Sequence, residues 1–483
     1  MRKANVKTKT RTHLPIVASL LAMSLLISSC TKQMREIFSW APAKTNPTSA
    51  GSGLVDKDQR DGFTVRVKGN KLVDEHGKTL HLRGVSIMGM EFTAIGGWSV
   101  SDPYPSITKS TWPALKEWSI NAIRIPLNEA SYLGRPCVFP FTGPAFKKAG
   151  KIIDPDPGHN YKERLRQVVN QATQEHLYVI LDLHTTAPND AKNATGNIIT
   201  QCAYELNPLP DADHSLEFWR QVASEYRDYP NVIFELFNNP YIDQWSRFKG
   251  DKVAAWKALR DGTTVDSYLP LWSTRESHLW KSAGSQQLID AIRGTKATNV
   301  IVLGGLSRSS DLEQWVAFKP NDPIGQLAAS WHAFPPNDST LDAACYLQPG
   351  PWCDDRGYSY AATILTAGYP VVVTEFGEKI QTGKMDSAFI DSLLPRLDSL
   401  GISYFGWSFT SNGTTGEYDL IKDTIGTPTP EYGITVKSHY LCLAEKLTSC
   451  NVSRPATHFE NPPTVTTSNQ YTPLGWMPFI API

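Results

Sequence analysis

The feature that most constrains this chain is a rhythm of short apolar runs. They fall at residues 80–89 (LHLRGVSIMG), 121–127 (NAIRIPL), 178–184 (YVILDLH) and 231–237 (NVIFELF). Four more follow at 299–305 (NVIVLGG), 327–334 (LAASWHAF), 370–377 (PVVVTEFG) and 402–409 (ISYFGWSF). Between most of them lies a helical pattern, as in YKERLRQVVNQATQEHL, where Leu165, Val168, Val169 and Ala172 recur at helical spacing. Several runs are apolar throughout, as expected of strands covered by helices on the outside of a parallel sheet. Eight strand–helix units predict an α/β chain folded as a (β/α)8 (TIM) barrel with loop insertions. The competing open, doubly wound sheet lacks the strand-to-helix G-x-G-x-x-G turn that would support it.

In such a barrel, functional groups collect at the carboxyl ends of the strands. Arg124, His184, Asn238, Asn239, His332, Glu375 and Trp407 all follow or close an apolar run. One such residue is ordinarily structural, but capping alone does not explain a set drawn from six of the eight runs. A metal site built on Asp182, His184 and His332 is disfavoured, because the first two lie two apart on one strand and no third ligand has an evident place. DPDPGH (154–159) lacks the spaced closing Glu of a calcium loop and reads as a turn. No metal and no cofactor are expected. Lys+Arg and Asp+Glu are both 47, so charge gives no reason to expect nucleic acid as a partner.

The ends of the chain read differently. Residues 1–30 combine a basic stretch without acids, an apolar run too short to span a bilayer comfortably, and LISSC. That ending resembles a bacterial lipobox with Cys30 as the lipidated residue, so export and membrane attachment only through an N-terminal lipid are expected. Residues 31–61 are a Ser/Thr/Pro/Gly-rich tether, 62–452 the barrel domain, and 453–483 a Pro-rich tail without periodicity. An anchored monomer suffices. Export permits disulfides among Cys137, Cys202, Cys345, Cys353, Cys442 and Cys450. Six cysteines allow fifteen pairings. Short loops favour Cys345–Cys353 and Cys442–Cys450, leaving Cys137 with Cys202.

LVDEHGKTLHLRGVS, IRIPLNEASYLG, LDLHTTAP, PLPDADHSLEFW, LGGLSRSSDLEQWVAFKP, SWHAF, TEFGE and GISYFGWSF together resemble glycoside hydrolase family 5, in its cellulase-like branch (clan A). The likeness runs over roughly residues 63–410 in the family's motif order. It implies a retaining hydrolase of β-linked polysaccharide, with two carboxyl groups facing each other across the scissile bond. Glu375 is then the nucleophile, Arg124 its orienting cation and Asn238 the amide on the sugar 2-hydroxyl. His184 and His332 join the hydrogen-bonding shell, and Trp407 is the floor under the reacting sugar. Trp98, Trp245 and Trp315 are candidate platforms, although core packing is the commoner role of such rings.

The chain departs from the family pattern at two positions. Where the family has Asn-Glu-Pro, this chain has Asn238-Asn239-Pro240, so an amide stands at the acid/base position. Where the family has His-x-Tyr, this chain has His332-Ala333-Phe334, without the hydroxyl that would bond the nucleophile. An amide neither donates nor accepts a proton at neutral pH. Three readings follow: a β-glucan-recognising protein with damaged catalysis, an active endo-β-glucanase using another acid, or a non-catalytic surface glycan-binding or interaction protein. Asp243 and Glu378 are the candidate replacement acids, whereas a straight strand would put Glu235 about 13 Å below the mouth.

Overall fold

The structure, a computed structural model, describes residues 63–91, 107–138, 151–188, 202, 207–245, 247–268, 277–335, 356–378, 388–411 and 418–445. The signal segment with Cys30, the tether, the tail, Trp98, Cys345, Cys353 and Cys450 lie outside these residues.

Eight parallel strands close a barrel in chain order: β1 (Arg83–Ser86), β2 (Ala122–Asn128), β3 (Tyr178–Thr185), β4 (Val232–Glu235), β5 (Ile301–Leu303), β6 (Leu327–Ala333), β7 (Val371–Phe376) and β8 (Ser403–Gly406). Each falls inside or nearly inside an apolar run of the sequence. Helices lie between and after them: α1 (Thr111–Glu117), α2 (Tyr161–Gln174), α3 (Ser215–Tyr226), α4 (Lys252–Asp261), α5 (Ser285–Gly294), α6 (Arg356–Thr366), α7 (Ala388–Leu400) and α8 (Tyr432–Ala444), with α4 and α5 both between β4 and β5 and only short turns such as Trp315–Phe318 between β5 and β6. The expected barrel is the observed one. The α4–α5 connection carries an antiparallel hairpin, Thr264–Tyr268 with Ser277–Lys281, as an insertion. Among the described residues no helix is long and apolar enough to cross a membrane.

Outward strand residues such as Ile123, Ile125, Val179 and Leu181 bury against helix residues such as Leu165, Val169, Phe218 and Trp219. Inward residues form two layers. The lower is apolar, with Ala122, Ile180, Ile233, Val302, Ala328, Val372 and Phe405, and Val65, Leu72 and Leu82 join the same cluster. The ring of Phe405 takes space that Gly84 leaves open; a Cβ there would lie 2.1 Å from the ring. The upper layer is polar, because the next inward position on β2, β3, β4 and β6 is Arg124, Asp182, Glu235 and Ser330. Strand alternation therefore places charge one step above the apolar plug.

Register decides which side chains meet. Parallel pairing sets Asp182 beside Glu235. On the other side of the barrel, the register shifts between Trp331 and His332, so β7 carries one more residue than β6 and His332 pairs with Glu375. Such a bulge re-aims a side chain. Thr374 can then reach Ser330 while the adjacent Glu375 also faces Arg124.

Cys137 and Cys202 form a disulfide, Cα–Cα 4.9 Å, as the sequence left them to do. Cys442 is disulfide-bonded as well, to a partner outside the described residues.

Candidate active site

The upper layer is organised around Arg124, which is fully buried. Its Nε donates to Glu235 Oε2 at 2.6 Å and its Nη1 to Glu375 Oε1 at 2.7 Å. Nη2 lies 2.8 Å from Asp182 Oδ2 and donates to Asn238 Oδ1 at 3.1 Å. One guanidinium thus fixes the side chains of β3, β4, the β4 end and β7. Burial alone would lower the basicity of Arg124, but the three carboxyl groups raise it above its ordinary value. Burial likewise raises the Glu235 carboxyl, yet Arg124 and His332 override this and hold it at about 2. Asp182 goes the other way: burial pushes it well above its ordinary value against the pull of Arg124, and the Glu235 and Glu375 charges add to the rise. The physical reason is that one buried cation does not balance three buried anions.

His184 continues the network. Its Nδ1 donates to Asp182 Oδ2 at 2.7 Å, leaving Nε2 to accept from Asn238 Nδ2 at 3.3 Å. Burial, with the Arg124 charge behind it, pushes the imidazole down to about 3, so the ring is neutral. It stacks on Trp407, with ring centroids 5.5 Å apart and planes 3° from parallel. Arg124 Cζ lies 5.9 Å from the centre of the same indole. Tyr432 of α8 bonds the carbonyls of Phe376 and Trp407 at 3.0 and 2.9 Å, which positions the strand end carrying Trp407. The Trp407–Ser408 peptide is cis.

His332 joins the two halves of the site. Its Nδ1 donates to Asn239 Oδ1 at 2.8 Å and sits 3.6 Å from Glu375 Oε2. The other ring nitrogen lies 3.8 Å from Glu235 Oε1. Asn239 is half-buried at the mouth, with φ of 53°, the left-handed region that Asn tolerates better than most residues. Phe334 is half-buried and packs edge-on against Tyr418, centroids 5.7 Å apart, over Gly377.

The structure therefore brings Arg124, His184, Asn238, Asn239, His332, Glu375 and Trp407 together, with Phe334 at the rim. It also revises several sequence expectations. Glu235 is not remote: the strand ends at Glu235, the straight-rise argument fails beyond it, and one imidazole separates its carboxylate from Asn239. Asp243 is committed elsewhere, accepting from Ser307 N at 3.0 Å and Ser307 Oγ at 2.6 Å. Glu378 accepts from Ile390 N at 3.1 Å. Trp315 takes the commoner of its two expected roles, core packing: it is fully buried and donates from Nε1 to Leu303 O at 3.0 Å. Trp245 is partly buried against the core.

Two buried acidic features escaped sequence reasoning. Glu91, just past β1, is pushed up by burial to about 8, against its bond from Gly89 N at 2.6 Å. Glu129, Asp211 and His214 bring potential ligand atoms within 4.8 Å of one another. Those atoms already serve the fold: Ser215 Oγ and Ala187 N donate to Glu129, His214 N to Asp211, and His214 Nδ1 to Ala187 O. Burial and the Asp211 carboxylate push Glu129 well above its ordinary value. The DPDPGH segment is the expected turn; Asp156 accepts from the backbone at the start of α2.

The family model for cellulase (glycosyl hydrolase family 5) matches residues 73–413, which include Arg124, His184, Asn238, Asn239, His332, Glu375 and Trp407. The chain belongs to glycosyl hydrolase family 5. It is 27% identical over 278 residues to cellulase CelDZ1 of Thermoanaerobacterium sp., covering 54% of this chain and 59% of that protein. It is 22% identical over 361 residues to endoglucanase E-5 of Thermobifida fusca, covering 73% of this chain and 57% of that one. The chain thus spans less than two thirds of the length of these curated relatives. Among solved structures, β-glucanase SdGluc5_26A of Saccharophagus degradans matches with TM-score 0.51 and 20% identity, covering 82% of this chain and 98% of that one. That likeness concerns the family 5 barrel alone.

Proposed function

We propose that this family 5 chain recognises β-linked glucan at the barrel mouth and turns over the polymer slowly. Glu375 is the nucleophile, oriented by Arg124. Asn238, His184 and His332 line the sugar site and Trp407 is its floor. The observation that carries the reading is that His332 Nδ1 donates to Asn239 Oδ1 at 2.8 Å and lies 3.6 Å from Glu375 Oε2, so the group one nitrogen away from that carboxylate is an amide. General acid–base catalysis is worth about 10²–10⁴-fold, or about 3–5.5 kcal/mol of barrier, and a sugar alcohol leaving unprotonated forfeits it. The hydrogen bonds that commit Asp243 and Glu378 to loop structure speak against either as a substitute acid. The furnished sugar site speaks against a bare scaffold.

The test compares the native protein with Asn239→Glu and Asn239→Glu/Phe334→Tyr on soluble β-glucans. Restored variants are expected to gain about 10²–10⁴-fold in polymer turnover. Equal native turnover would refute slow catalysis, and loss of glucan retardation in affinity gels would refute recognition. Export with a lipid on Cys30 is supported by the N-terminal segment. Radiolabelled palmitate incorporation that persists in Cys30→Ser would overturn it.

A further inference from the structure

We infer that the site acts on β-glycosides whose aglycone departs as an anion, a phenol or a thiol, in preference to sugar alcohols. The inference rests on the proposed roles of Glu375 and Asn239. Two observations carry it beyond that reading.

The first is the orientation of the Asn239 amide. Its oxygen is taken by His332 Nδ1–H at 2.8 Å, so the NH2 end is the one left to serve the cleft. An amide N–H does not release a proton at neutral pH, but it donates a hydrogen bond to charge developing on a departing atom. Such a site favours a leaving group that is stable as an anion over one that must be protonated.

The second is the state of the nucleophile. Arg124 holds Glu375 Oε1 at 2.7 Å, which fixes the carboxylate, while Oε2 has His332 Nδ1 only at 3.6 Å. Phe334 brings no hydroxyl to that oxygen. The attacking oxygen therefore keeps its electron density, and half of the retaining reaction remains equipped.

The chemistry balances without an acid. A Glu375 oxygen bonds to the anomeric carbon as the bond from that carbon to the aglycone oxygen or sulfur breaks. Both electrons go to the leaving atom, which departs as phenolate or thiolate. Water then attacks the anomeric carbon, the ester bond to Glu375 breaks, and the water proton passes to solvent.

The experiment measures kcat/KM for aryl β-cellobiosides with phenols of pKa from about 4 to about 10, beside matched aryl thio-β-cellobiosides. The native protein is expected to slow about tenfold for each unit of leaving-group pKa, and to accept oxygen and sulfur glycosides of equal leaving-group pKa at comparable rates. Asn239→Glu should flatten the dependence and favour oxygen. Added azide should speed native turnover and yield the β-glycosyl azide, which Asn239→Glu should not form. Turnover confined to the oxygen series identifies phenolic glycosides as the class, and turnover of both series admits thiols. A flat dependence in the native protein, or aryl turnover that survives Glu375→Gln, overturns the inference. A flat dependence accompanied by poor polymer turnover sinks this inference and leaves slow polymer catalysis standing.

Discussion

Replacing Arg124 with Met removes the one cation at the centre of three buried carboxyl groups, and the consequence can be worked through Glu235. In the native protein its carboxyl is held at about 2, against an ordinary value of 4.5. Without the guanidinium, the fully buried carboxylate keeps only His332 at 3.8 Å and the Ser330 hydroxyl beside it, and takes up a proton instead. At pH 7 that protonation costs about 3 kcal/mol, at about 1.4 kcal/mol per unit of pKa, which matches the range for breaking a buried ion pair. The sign follows from linkage. In the native protein the folded value lies below the unfolded one, so Glu235 contributes stability above about pH 4.5 and loses it as pH falls toward 2. In the variant the folded value lies above the unfolded one, so stability is present at low pH and lost as pH rises. The gap between the two proteins should therefore shrink by at least about 2–3 kcal/mol on going from pH 7 to pH 5, since Asp182 and Glu375 lose the same cation and groups away from Arg124 largely cancel in the difference. Equilibrium urea unfolding of both proteins at both pH values measures it. A gap of the same size at pH 7 and pH 5 would refute the electrostatic account and make the loss one of packing.

Three further outcomes are expected. His184, pushed down to about 3, should show no imidazole titration by NMR between pH 7 and pH 4. Because its folded value lies below the unfolded 6.5, the protein should lose up to about 1.4 kcal/mol per pH unit as pH drops from 6.5 toward 3, a slope absent from His184→Gln. The Cys137–Cys202 disulfide closes a sequence separation of 65. Its replacement by two serines should cost about 4 kcal/mol on the chain-entropy model, read from urea midpoints under oxidising conditions. Trp407→Ala should weaken soluble β-glucan binding at least about tenfold in calorimetry with the circular dichroism unchanged, and unchanged affinity would remove Trp407 from the sugar site.

Much of the barrel was legible because its cause is local. Short, mostly apolar runs are what a strand buried on both faces requires, and all eight observed strands fall inside or nearly inside such runs. The polar residues at their ends were legible for the same reason, since they interrupt those runs. Trp315 took the commoner role, core packing, but sequence could not have settled it, because an indole looks the same there whether it faces a sugar or donates to a buried carbonyl. Glu235 misled because distance along a strand says nothing once the chain bends away from it. Glu91, Glu129 and Asp211 gave no signal, since burial of a carboxyl depends on residues far away in the chain.

The sequence by itself determined the eight-strand barrel, the amide at position 239 and the missing hydroxyl at position 334, because each is a matter of residue type at a place in a local pattern. Tertiary structure alone decided that Arg124 meets Glu235, Glu375, Asp182 and Asn238 together, and that His332 spans from Asn239 toward Glu375. Those meetings depend on the register between strands and on the extra residue in β7, which turns Thr374 and Glu375 toward the same interior. Register is set by the packing of a closed barrel, and no single strand encodes it.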